Sequence, residues 1–210
     1  MKTVLDTQLI VLKNEIAKMG LLCEEALVKS MQALRTHDLK LAQEIIDYDK
    51  HINNMEKEIQ SLCYSLLIRQ QPVASDFRFL SASLKIVTDL ERIADYATDI
   101  SEIIMEYPDT HFLFEKDLIL MSKEVIIMLN NSIESLMSMD INLAQMVIKH
   151  DDKVDDGLKN LKHVILDDMM STNKGKESIL DTFMIAKYFE RCGDRCVNIA
   201  ESVIFFATGN

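Results

Sequence analysis

The stretch Ile86-Val87-Thr88-Asp89-Leu90-Glu91-Arg92-Ile93-Ala94-Asp95-Tyr96-Ala97-Thr98-Asp99-Ile100-Ser101-Glu102-Ile103-Ile104 decides the fold. Ile86, Leu90, Ile93, Ala97, Ile100 and Ile104 recur every three or four residues, which draws one apolar stripe along a helix and does not fit strand alternation. The rest of the chain reads the same way between sparse breaks. Thr36-His37-Asp38 and Ser138-Met139-Asp140 each end one run and start another. Pro72 with Ser75-Asp76 gives a capping signal, Tyr107-Pro108-Asp109-Thr110 is a stop, and Ser171 to Lys176 is the last loop. Six helices of about 25–35 residues follow, each roughly 45 Å long at 1.5 Å per residue, with connections short enough to make neighbours antiparallel.

Composition supports this and excludes much else. Five glycines and two prolines in 210 residues cannot supply the turns of an all-β sandwich. A formal net charge of −11 argues against a dedicated nucleic-acid binder and for cations or basic surfaces as partners. No apolar run approaches the ~18 residues of a membrane span, and the N-terminal residues do not read as a signal peptide, so a cytoplasmic protein, at most peripheral to a membrane, is expected. Cys23, Cys63, Cys192 and Cys196 form no CxxC pair and read as reduced, buried thiols.

The chain repeats itself. Leu34, Asp38, Leu41-Ala42-Gln43, Ile46 and Asp49 match Leu136, Asp140, Leu143-Ala144-Gln145, Ile148 and Asp151 at an offset of 102. Glu91-Arg92, Asp95, Ile100 and Glu102 match Glu190-Arg191, Asp194, Ile199 and Glu201 at an offset of 99. The fold class is therefore all-α, two tandem pseudo-symmetric three-helix bundles spanning 1–108 and 109–210, with one connecting loop shorter in the second half.

The chemistry concentrates in the duplicated Glu-x-x-x-Asp. Glu91 and Asp95 project from one helix face, as do Glu190 and Asp194, and the stripe runs on through Asp99 and Asn198. Like charges four apart weaken a helix. Arg92 and Arg191 would offset that, and so would a cation that takes oxygen ligands; a solvated helix face is the plain alternative. Asp49 with Asn53, and Asp151 with Asp155, lie on the preceding helix of each half and would meet these carboxylates if the helices run antiparallel. The five histidines form no Glu-x-x-His pair, which counts against a ferritin-like di-iron site. No nucleophile–base arrangement or phosphate-binding glycine loop occurs. Gly20, Gly157 and Gly193 sit inside helical patterns and indicate close packing.

Arg69-Gln70-Gln71-Pro72-Val73-Ala74-Ser75-Asp76-Phe77-Arg78, then Leu90 to Asp95, then Phe189-Glu190-Arg191-Cys192-Gly193-Asp194-Arg195-Cys196-Val197-Asn198-Ile199, resemble the phosphate-uptake regulator family, PhoU, over nearly the whole chain. The resemblance implies two pseudo-symmetric three-helix bundles, often dimeric. It also implies a non-enzymatic, negative regulator of the phosphate-starvation response, placed between the ATPase of a phosphate ABC transporter and a sensor histidine kinase. It implies a divalent or multinuclear metal (iron, zinc, magnesium or manganese) on the carboxylate motifs, here Glu91 with Asp95 and Glu190 with Asp194. Two departures stand out. Residue 94 is Ala where the family usually has Gly, which is expected to make one site differ from the other. The chain also ends at Asn210, without the tail of longer members. The alternative reading is a metal-binding or metal-storage carboxylate bundle with enzymatic activity.

Overall fold

A computed structural model describes residues 4–107, 112–171 and 176–209. It contains six α-helices: α1 (Val4–Thr36), α2 (Leu39–Gln70), α3 (Ala74–Glu106), α4 (Glu115–Ser138), α5 (Ile141–Ser171) and α6 (Lys176–Thr208). The boundary expected at 108/109 and the loop residues Asn173 and Gly175 lie outside the described residues.

The helix starts follow from local chemistry repeated in each half. Asp38 caps α2 by accepting from the Lys40 and Leu41 amides at 3.0 and 3.1 Å. Asp140 does the same for α5, accepting from Asn142 and Leu143. The residue before each cap, His37 or Met139, turns the chain with a positive φ. The capping signal at Ser75-Asp76 is not used as expected. α3 already begins at Ala74 after an extended Val73 with no side-chain cap, so Asp76 sits in the first turn, where its charge suits the helix dipole. The three-residue change of repeat offset is also not a shorter loop. The stretch from Ala74 to Glu91 is three residues longer than that from Lys176 to Glu190, so α6 is shorter ahead of its motif.

Within each half all three helices touch: α1, α2 and α3, then α4, α5 and α6. Across the halves only α3 packs on α6 and α1 on α4 among the described residues, so α2 and α5 flank the molecule. Both cross-half packings are antiparallel. Asp89 meets Arg195 while Tyr96 meets Tyr188, and Lys13 donates to the Met137 carbonyl while Asn130 donates to Glu24. The stripe read from the sequence is the core of this arrangement: Ile86, Leu90, Ile93, Ala97 and Ile100 are fully buried, as are Phe189, Cys192, Cys196 and Ile199 on α6. Gly20 allows α1 its approach to α4, since a Cβ there would lie 2.7 Å from Ile133 Cγ1.

All four cysteines are free and buried. Burial pushes Cys63 up to about 12 and raises the other three thiols as well. Cys23 donates to the Leu90 carbonyl. Among the described residues α1 and α6 have no close backbone approach, so Cys23 cannot bridge to Cys192 or Cys196.

Phe189 is among the largest fully buried side chains. Phe189→Ala is expected to cost about 3–5 kcal/mol in urea unfolding. Leu21→Ala, at a residue 62% exposed, is expected to stay within about 0.5 kcal/mol.

Candidate functional site

The antiparallel pairing of α2 with α3 brings Asp49 and Asn53 beside Glu91 and Asp95. Asn53 Nδ2 donates to Asp49 Oδ2 at 2.8 Å. Burial, with Asp95 next and Glu56 and Asp49 behind it, pushes the Glu91 carboxyl up to about 7 against the pull of Arg92. Asp49 is likewise raised, by burial first and then by Asp95 and Glu102. Arg92 is the local counter-charge: its NH1 donates to Asp95 Oδ2 at 2.9 Å and its Nε lies 3.5 Å from Glu91 Oε2.

The second half repeats the arrangement with more charge. Asp151 and Asp155 of α5 stand beside Glu190 and Asp194 of α6. Burial, then Asp155, Asp194, Glu190 and Asp152, pushes Asp151 up to about 6. Asp194 is raised by burial and by Glu190. Arg191 does not take the part of Arg92. Its guanidinium lies 6.0 Å from the centre of the Tyr188 ring, and Lys187 binds Glu190 Oε1 instead, at 2.5 Å.

Each face holds oxygens that are closed off from solvent and have no hydrogen-bond partner: Asp49 Oδ1 and Asn53 Oδ1 in the first, Asp151 Oδ1 and Glu190 Oε2 in the second. Such groups cost about 1–3 kcal/mol each when left unsatisfied. The donor set is oxygen throughout, which fits a hard cation such as Mg²⁺, Mn²⁺, Ca²⁺ or oxidised iron better than zinc with its preference for nitrogen and sulfur. Among the described residues no three Asp, Glu, His or Cys side chains already converge on one point.

Gly193 and Ala94 make the two faces unequal. A Cβ at Gly193 would lie 2.6 Å from Asp151 Oδ1, so only glycine lets α6 come this close to that carboxylate. At the matching place in the first half the methyl of Ala94 is buried.

Asp99 and Asn198 are drawn into the seam between the halves. Asp99 lies beside Tyr188, and its carboxyl is raised by burial, Glu102 and Asp95 against the pull of Tyr188 and Arg191. Asn198 Nδ2 reaches Asp89 Oδ1 at 3.4 Å. Sequence reasoning passed over Asp89 itself, which is 4% exposed and bonded to Arg195 at 3.2 Å. The signal was present, because Asp89 falls between Ile86 and Ile93 on the apolar stripe. Glu56 was also missed; it lies one turn beyond Asn53 and accepts from Gln60 and Thr88.

The PhoU domain model matches residues 16–104 and again 118–203. The chain belongs to the PhoU family. It is 35% identical, over 99% of its length and 96% of the relative's, to the phosphate-specific transport system accessory protein PhoU homolog of Clostridium acetobutylicum. It is 30% identical to the phosphate-specific transport system accessory protein PhoU of Escherichia coli, covering 94% of this chain and 83% of that one. The crystal structure of PhoU from Pseudomonas aeruginosa superposes with a TM-score of 0.93 at 28% identity, over 98% of this chain and 99% of that one. The phosphate transport system regulatory protein PhoU from Streptococcus pneumoniae gives 0.91 at 26% identity, over 98% of both chains. The all-α tandem architecture expected from the repeat is the architecture of this family.

The raised carboxyls set a sign for pH dependence. A carboxyl whose folded pKa exceeds its unfolded value binds its proton more tightly in the folded state, so metal-free stability is greatest at low pH and falls as pH rises. For Glu91 the fall runs from the ordinary value of 4.5 to about pH 7, and for Asp151 from 3.8 to about pH 6. In chelator, Glu91→Gln at pH 8 is expected to raise stability by roughly 1–2 kcal/mol, a few degrees in Tm, and to flatten the profile. An unchanged profile in thermal unfolding from pH 5 to 8 would refute this.

Proposed function

We propose that this chain is a non-enzymatic regulatory accessory of phosphate uptake. It acts on the cytoplasmic side, links the ATPase of a phosphate ABC transporter to a sensor histidine kinase, and holds the phosphate-starvation response down when phosphate is plentiful. The observation that carries this reading is its near full-length similarity to relatives named phosphate-specific transport system accessory proteins, in sequence and in both repeats. Among the described residues no helix is long and apolar enough to cross a membrane.

In this reading Glu91 and Asp95 with Asp49 and Asn53, and Glu190 and Asp194 with Asp151 and Asp155, hold a hard cation in each half, magnesium, manganese or oxidised iron. Asp99 and Asn198 serve the seam. The cation neutralises a face that otherwise repels itself and leaves a defined surface for a basic partner. The active form is a homodimer, for which exposed apolar side chains such as Ile68 and Phe77 offer surface.

A phosphate-starvation reporter in a bacterium lacking its own regulator, supplied with this chain and its native transporter and kinase, tests the proposal. Repression at high phosphate is expected with the wild type and is expected to be lost with Glu91/Asp95/Glu190/Asp194→Ala, checked for folding by circular dichroism. Failure of the wild type to repress would overturn the regulatory reading, and repression by the variant would remove the carboxylates from it. Binding to the purified partners is expected to weaken at least tenfold between 50 mM and 500 mM salt if the acidic surface makes the contact.

A further inference from the structure

Four helices close a ring. α1 packs on α3, α3 on α6, α6 on α4 and α4 on α1, and the diagonal pairs do not touch among the described residues. The α1/α4 seam and the α3/α6 seam are therefore opposite sides of one four-helix core, with α2 and α5 covering the other two. The two sides differ in chemistry. Along α3/α6 the exposed residues are mostly polar, among them Lys85, Arg92, Arg191 and Glu201, with Phe205 at one end. Along α1/α4 they include a run of large apolar side chains.

Asn130 of α4 donates to Glu24 of α1 across that seam, and Lys13 donates to the Met137 carbonyl. Leu21 and Val28 stand three before and four after Glu24, Ile10 three before Lys13, and Ile127 three before Asn130, so all four border the seam. They are exposed, as are Leu120, seven before Ile127, and Met137, seven after Asn130. In the antiparallel register Met137 falls between Ile10 and Leu21, and Ile127 between Leu21 and Val28. The result is one file of apolar side chains alternating between the two helices. Leu21 is 62% and Leu120 60% exposed. The seven-residue steps keep the file straight, as in the seam of a coiled coil. From Ile10 to Val28 it runs about 27 Å, five turns of helix.

The borders of the file are basic for so acidic a chain. Lys116 and Lys123 are exposed and bond no carboxylate among the described residues. Glu24, Glu25 and Glu124 are already engaged, by Asn130, Lys29 and His150; Glu134 is an exception.

We propose that this side docks one amphipathic helix of a partner protein, whose apolar stripe is bordered by Asp and Glu. Width and charge select this occupant. A stable dimer buries about 20–30 residues a side, which a single file does not supply, whereas one helix laying down anchors at i, i+3, i+4 and i+7 matches it. An acidic helix is repelled by the surface of a chain of net charge −11 at large, and Lys116 and Lys123 give it counter-charge here. The proposal adds a partner surface to the regulatory reading. It depends neither on that reading nor on the cation faces, which are built from α2, α3, α5 and α6.

The test is fluorescence anisotropy of the full chain with two labelled synthetic helices of about 20 residues, identical in their leucine stripe and flanked by glutamate in one and by lysine in the other. The overall charge of the chain favours the lysine helix. The opposite order is expected, with the glutamate helix binding at least tenfold more tightly. Leu21→Ser with Ile127→Ser is expected to weaken it at least tenfold, and Lys116→Glu with Lys123→Glu to reverse the preference. Leu180→Ser, at an equally exposed apolar residue of α6, is expected to leave binding unchanged, and circular dichroism checks that each variant folds. Tighter binding of the lysine helix, no binding of the glutamate helix at about 100 µM, or an equal loss in Leu180→Ser would each overturn the proposal. So would a dimer in sedimentation equilibrium that Leu21→Ser with Ile127→Ser dissolves, since a second copy would then cover the face. None of these outcomes bears on the phosphate reporter.

Discussion

The molecule depends on one crossing. α3 and α6 run antiparallel against each other, each contributing its apolar stripe, and everything else is placed relative to that seam. Leu90 and Ile93 from one helix and Phe189 and Cys192 from the other are removed from water together, at about 25 cal/mol for each Å² of apolar surface. Because α3 and α6 share the core with both halves, α2 and α5 are pushed to the flanks. The faces that carry the paired carboxylates are therefore held on rigid helices and turned outward. A face of like charges is tolerable only because the stripe beside it is so well buried.

The seam is symmetric in shape and asymmetric in chemistry. Shifted by the repeat offset, the pair Asp89–Arg195 becomes Tyr188–Tyr96. One side of the axis is thus a nearly buried ion pair, and the other a stacked aromatic pair with ring centroids 5.8 Å apart. Arg195, bonded to Asp89, also lies beside Tyr96, and both raise its pKa. The same divergence marks the outer faces. Arg92 bridges Glu91 and Asp95 in the first half, whereas Arg191 turns to Tyr188 and leaves the second half richer in uncompensated charge. Gly193 lets Asp151 press against α6, where the first half has Ala94. Duplication gave two similar frames, and a few substitutions gave them different contents.

Much of this was legible in the residues because helices write their packing in spacing. The stripe from Ile86 to Ile104 named the buried face, the offset of 102 placed Asp140 as a cap like Asp38, and the doubled Glu-x-x-x-Asp marked the acidic faces. What the spacing could not carry was side-chain choice between two nearby partners. Asp99 and Asn198 lie on the same stripe as the motif, yet they meet the seam, Asn198 by bonding Asp89 and Asp99 by lying beside Tyr188. Asp89 stands out as a charged residue in an apolar register, but its partner does not: Arg195 comes from the other repeat.

The central claim is that two outward carboxylate faces, one per repeat, are cation sites held by a shared core. The most direct measurement is an anomalous-scattering map from crystals grown in manganese. The account predicts a peak at each face, in contact with oxygens from α2 and α3 in one half and from α5 and α6 in the other. Manganese absent from both faces, or present only between neighbouring molecules, would contradict it.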